Sequence, residues 1–247
     1  KANWSGGQVP TGRQTAVVAP KVEAVSRNQP PAFIGDLVLR PGATLRIGDL
    51  GAGVLPRGPG RLVMETGSRV LVVDGRGREQ EFGPILMSGR AEIWGGTSNQ
   101  GHHSTRIFGG RISGRHQLVL VGVNSNEFRF SAPSTFTGGL LAESRQNQGF
   151  QIVAEAARCF GRGGVHVGNY ASLILRAEGT IDDAAILELS GPIDTKAKAK
   201  VVLYADETVR GLRINGANQK AGTYGSPTSA AQIKMPHFGG SGILTVK

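Results

Sequence analysis

The chain has 247 residues, 39% of them hydrophobic, with 38 glycines and a formal charge of +10 from 28 Lys and Arg against 18 Asp and Glu. That apolar share supports one substantial folded domain and excludes a disordered polymer, while glycine at about twice its usual share of roughly 7% works against long helices. The single Cys159 excludes an intrachain disulfide, and no apolar run approaches the ~18 residues of a membrane span.

Residues 1–31 read as an N-terminal cap segment. It carries Trp4, a Gly6-Gly7 pair, a Pro10-Thr11-Gly12 turn, the strand-like TAVVA at Thr15–Ala19, and a break at Pro30-Pro31. A start at Lys1 rather than Met reads as a processed or excised chain. From Phe33 the runs become regular: FIGDLVLR, ATLRIGD, RLVMETG, RVLVVDG. PGATLRIGDLGAG and ETGSRVLVVDGRG look like two versions of one unit, each a glycine corner followed by a strand. GPILMSGRAEIWGG at Gly83–Gly96 adds two strands, and Thr97–Ser104 (TSNQGHHS) forms the most polar loop mid-chain.

Between Ile107 and Ala177 short apolar or alternating runs end repeatedly at Gly, Asn or Ser, the signature of half-buried strands separated by turns. Alternation in VHV and LIL predicts Val165, Val167, Leu173 and Leu175 inside, with His166 and Arg176 outside. AAILELSG, VVLYAD and the final FGGSGILTVK continue the series. Corresponding strands recur about every 20–25 residues without helices between them, which predicts an all-β fold, a right-handed parallel β-helix (β-solenoid) over residues 32–247. An antiparallel β-sandwich is the alternative. It is disfavoured because tight two-residue hairpin turns are scarce, Asp74-Gly75 being the one good candidate.

Three elements between Ile112 and Leu175 carry a resemblance: ISG with LVLVG, STFTGGL at Ser134–Leu140, and CFGRGGVHVGNYASLIL at Cys159–Leu175. They resemble the autotransporter-associated β-strand repeat family of bacterial secreted proteins. Ser134 stands where that pattern usually has Asn, and Phe160 where it has Leu. NWSGGQVP at the start, and AGTYG with FGGSGILTV at the end, are similar to the family's opening and closing segments. The resemblance implies an exported, surface-displayed parallel β-helix and no catalytic residue.

The candidate sites are few. His102 and His103 with Arg106 are the residues for an enzymatic reading: β-elimination on a uronate polysaccharide needs a base and a cation facing the carboxylate. His116, His166 and Tyr170 join them if the coils stack suitably. Adjacent histidines in a strand point to opposite faces, which favours a solvated loop. Trp94 with Arg76 and Arg78 is the candidate carbohydrate-binding set. The aspartates at Asp182-Asp183, Asp194 and Asp206-Glu207 lack the spacing of a calcium loop and read as turn caps, so neither a metal nor a cofactor is expected. Cys159, in an apolar run, reads as a buried inert thiol.

These observations predict a secreted, non-catalytic structural or adhesive module of a bacterial surface or extracellular matrix. A polysaccharide lyase and a carbohydrate-binding module are the alternatives. The positive charge points to acidic polysaccharide or cell-surface glycan as partner, with nucleic acid last because no recognition motif accompanies it. The strand ending the chain, with Ile243, Leu244 and Val246, is expected to present an open edge to a neighbouring domain or to the next subunit of a filament.

Overall fold

The computed structural model describes residues 14–26, 35–47, 53–55, 59–73, 79–95, 104–123, 126–144, 149–191 and 200–247. Among these residues the chain forms strands and no helix. The strands stack coil upon coil into five-, ten- and eight-stranded sheets, with a four-stranded sheet at the C-terminal end. Every pairing in the first three sheets is parallel except the last of the ten-stranded sheet. The fold is therefore the predicted β-solenoid, and the sandwich alternative does not hold. Cα partners in adjacent coils lie from 21 to 37 residues apart, so the coil is longer in places than the sequence period suggested.

The register builds the core. Ala91, Leu118, Leu140, Val165, Leu187 and Leu212 are successive Cα partners across six strands, and all are buried. Parallel strands lie about 4.8 Å apart, so each inward side chain touches its counterparts above and below. The eight-stranded sheet builds an aromatic column in the same way. Phe82, Phe108 and Phe130 stack at centroid distances of 5.3 and 4.4 Å, and Phe160 meets Phe130 edge-on at 5.0 Å. Val165, Val167, Leu173 and Leu175 face inward, whereas Arg176 is exposed and His166 half-buried on the outer surface, as the alternation predicted.

Corners stack as strictly as strands. Ala19-Pro20-Lys21-Val22, Arg40-Pro41-Gly42-Ala43 and Glu65-Thr66-Gly67-Ser68 are the same turn in three successive coils, each closed by an amide donating to the carbonyl three residues back. The third residue has φ of +57°, +69° and +70° in turn, which is why glycine fills two of these positions. Because that turn already occurs at Lys21, the strands Ala16–Val18 and Glu23–Ser26 pair in parallel with the next coil. The solenoid thus begins inside the segment expected to be a cap; Trp4 and Pro30-Pro31 lie outside the described residues.

One turn expectation needs correction. The strands before and after Asp74-Gly75 belong to different sheets, so no hairpin joins them. The hairpin is instead at Asn215-Gly216, with φ of +50° and +79° at its two central residues. It folds Ala217–Asn218 back antiparallel onto Gly211–Ile214, the pairing typical of Asn-Gly turns.

That hairpin begins the closure of the C-terminal end. The last strand, Leu244–Val246, pairs in parallel with Glu207–Val209 on one side and antiparallel with Gly222–Gly225 on the other. Tyr224 is buried against Phe238, with its hydroxyl donating to the Lys220 carbonyl at 2.7 Å. Both edges of the terminal strand are occupied. The open edge expected at Ile243, Leu244 and Val246 is absent, because the chain doubles back to cover it.

Register-dependent packing predicts a specific vulnerability. Phe108→Ala removes the ring shared by Phe82 and Phe130, and should cost about 3–5 kcal/mol in denaturant-induced unfolding. A loss below about 1 kcal/mol would mean that the column is not packed as described.

Candidate functional site

The surface carries ladders of opposite charge. Arg40–Glu65 at 2.8 Å, Arg46–Glu23 at 3.4 Å, Arg61–Asp36 at 2.8 Å, Arg69–Glu92 at 3.1 Å and Arg176–Glu155 at 3.2 Å each join residues of neighbouring coils. Arg129 bridges Glu127 and Glu155 at 2.6 and 3.7 Å. Arg61 engages Asp36 most fully: its backbone amide and its side chain both donate to Oδ1 and its Nη2 to Oδ2, which holds the Asp36 carboxyl below its ordinary range. Exposed pairs of this kind are worth roughly 0.2–1 kcal/mol each. They pin register and neutralise many of the arginines whose scatter suggested a diffuse positive field.

The residues singled out in the sequence fare unequally. His102, His103, Arg76 and Arg78 lie outside the described residues, as do Asp74-Gly75 and Asp194. Arg106 is fully buried: it faces inward from the strand Thr105–Phe108, and its Nη2 donates to the Gly95 carbonyl at 2.9 Å. A guanidinium held there cannot meet a polysaccharide carboxylate, so Arg106 leaves the proposed elimination site. Trp94 is half-buried on the outer face of the ten-stranded sheet and donates from Nε1 to Glu92 Oε2 at 2.8 Å. His116 is exposed at a corner, and Tyr170 is half-buried with a φ of +58°. His166 bonds through Nε2 to Ser190 Oγ at 2.8 Å.

Several polar residues serve the fold where the ladder lapses. Asp182 Oδ1 accepts from the Ala184 amide at 3.0 Å as a turn cap, whereas Asp206 Oδ1 accepts from the Ile243 amide of the adjacent coil at 2.8 Å. Glu207 is buried. Its Oε2 accepts from the Thr180 amide at 2.9 Å, the Thr180 hydroxyl at 2.5 Å and the Ile181 amide at 3.3 Å, where no strand continues the five-stranded sheet. Burial raises its carboxyl above the ordinary value, outweighing those donors. Cys159 is buried, and desolvation raises its thiol far above the ordinary range, consistent with an inert core residue. Among the described residues no group of three His, Cys, Asp or Glu is placed to hold a metal ion.

One concavity stands out, on the outer side of the ten-stranded sheet near its C-terminal end. It is a cleft of about 240 Å³, lined by Ile186, Arg210, Gly211, Leu212, Arg213, Asn218, Gln219, Val246 and Lys247. The turn at Asn215-Gly216 brings Asn218 opposite Arg213, whose Nε donates to Asn218 Oδ1 at 3.0 Å. Lys247 Nζ donates to the exposed Asp183 carboxylate at 2.8 Å. Of the lining residues only Val246 was singled out in the sequence, and as part of the terminal strand. The legible signal was RGLRING: alternation there puts Gly211 and Arg213 on one face, and Asn-Gly announces the hairpin.

Comparison with known proteins brings out no counterpart: no family model matches the chain, and no curated protein or solved structure does.

The buried Glu207 makes stability depend on pH with a definite sign. A carboxyl whose folded-state value lies above its unfolded one, here 4.5, contributes stability that is complete below that value and is lost as pH rises through the folded value. The melting temperature of wild type relative to Glu207→Gln should therefore fall between pH 4 and pH 7. A difference that is constant, or grows toward neutral pH, would contradict the burial effect.

Proposed function

We propose that the chain is a secreted, non-catalytic structural or adhesive module of a bacterial cell surface or extracellular matrix. The observation that carries this reading is that the fold commits its buried reactive side chains to structure. Arg40, Arg61 and Arg176 pair with carboxylates one coil away, and Arg106, Glu207 and Cys159 are buried in structural roles. A ten-stranded stack at about 4.8 Å per strand is roughly 43 Å long, a stiff spacer well suited to display. The resemblance of STFTGGL and GRGGVHV to autotransporter-associated repeats supports export and surface display. Filament formation through the last strand is not part of the proposal, since that strand is already paired on both edges.

The test is incubation with a panel of uronate polysaccharides, following ultraviolet absorbance for unsaturated product. The expected result is no turnover by wild type, and identical behaviour of the double variant His102→Ala with His103→Ala. Unsaturated product formed by wild type and abolished in that variant would replace the structural reading with a lyase.

A further inference from the structure

We propose that the cleft beside the Asn215-Gly216 hairpin binds an anionic sugar residue, one bearing a carboxylate or a sulfate. This goes beyond the structural reading and does not depend on it, since a scaffold with or without a ligand has the same fold.

The first argument is charge without partners. Arg40, Arg46, Arg61, Arg69 and Arg176 meet acids of a neighbouring coil, whereas the cleft gathers arginines that do not. In the cleft, Arg210 makes no side-chain hydrogen bond or ion pair among the described residues. Arg213 is tied only through Nε to Asn218, leaving both terminal nitrogens of its fork without a protein partner there. Glu188 is the register neighbour of Arg213 on the adjacent strand, yet no ion pair forms between them among the described residues, and Glu188 does not line the cleft. Lys247 adds a third cation, held by an exposed bridge to Asp183 that costs little to rearrange. A guanidinium oriented through Nε presents two parallel donors, the geometry that suits a carboxylate or sulfate.

The second argument is shape. Gly211 sits between Arg210 and Leu212 in the cleft lining, where its neighbours in the strand carry side chains. A Cβ built there would meet only Ile186 Cγ1, at 3.7 Å, an ordinary contact, and its φ lies outside the left-handed region. Neither packing nor backbone conformation demands glycine at this position. Its effect is to leave open space, a recognised use of glycine in strands where a ligand approaches.

The third argument is chemistry. The outward lining offers aliphatic Ile186 with the amides of Asn218 and Gln219 beside the cations, while Leu212 and Val246 belong to the core beneath. Amides suit sugar hydroxyls, and aliphatic carbons suit the C–H faces of a pyranose. The lining has no aromatic ring on which a nucleobase could stack, so a nucleic acid is disfavoured. The volume suits one sugar unit of a longer glycan.

The experiment titrates the full chain calorimetrically with an oligogalacturonide, a heparin oligosaccharide, a neutral maltooligosaccharide and a single-stranded DNA oligomer. Binding by the uronate or the sulfated arm, and not by the neutral one, is expected; which of the two binds identifies the anion. Arg210→Ala with Arg213→Ala should weaken that binding at least tenfold. Gly211→Leu, which fills the cleft and keeps every charge, should do the same. Arg111→Ala, an exposed arginine elsewhere, should leave it unchanged. Melting curves identify any variant that fails to fold; if Gly211→Leu does so, Gly211→Ala, with its ordinary contact, replaces it and should weaken binding measurably. The proposal is overturned if no anionic sugar binds. It is also overturned if the Gly211 variant binds like wild type, or if DNA binds as well as the sugars and responds equally to Arg111→Ala.

Discussion

Everything in this protein depends on register between coils. A parallel stack repeats each position one strand spacing away, so a side chain that suits one coil must suit the coil above it. The aliphatic column from Ala91 to Leu212 and the rings of Phe82, Phe108 and Phe130 meet this demand inside. Outside, the same demand turns cross-coil neighbours into ion pairs such as Arg61–Asp36, and it places like turns over like turns at Lys21, Gly42 and Gly67. One geometric rule thus produces the core, the corners and the surface.

The rule also accounts for the buried polar groups. After Ile112–Gly114 the five-stranded sheet loses regular strands, yet its amides still need partners. Ser134 Oγ accepts from the Ile112 amide at 3.1 Å, and the Thr135 and Thr137 amides donate to the carbonyls of Ile112 and Gly114. Phe136 fills the core between them. Three coils later the Glu207 carboxylate does the equivalent service for Thr180 and Ile181. The TFTGG element is thus a corner that keeps the ladder going without a strand. Charge inside the fold follows from the need to satisfy backbone, at the cost of desolvating a carboxylate.

How legible this was in the sequence varied with the range of the interaction. Alternation is local, so the inward and outward residues around Val165–Leu175 could be assigned directly. The coil period and the absence of helices followed from spacing and glycine. What lay beyond reach was anything set by a partner far along the chain. Arg106 stands in an alternating strand, TRIF, and alternation alone does not say that a guanidinium takes an inward position between Gln80 and Phe128. The closure of Leu244–Val246 depends on Gly222–Gly225 running back antiparallel, a pairing with no local cue. The hairpin at Asn215-Gly216 did have a local cue, and with it came the cleft, because the turn is what sets Asn218 against Arg213.

Pairing on both sides separates a terminal strand that is already covered from one that recruits a further strand. Amide hydrogen exchange of the native chain tests this most directly. If the terminal strand is paired on both sides, the amides of Leu244 to Lys247 should be protected alongside those of Leu118–Gly122 in the middle of the stack. Exchange of the terminal amides at the rate of an unstructured peptide, with the middle still protected, would contradict the account.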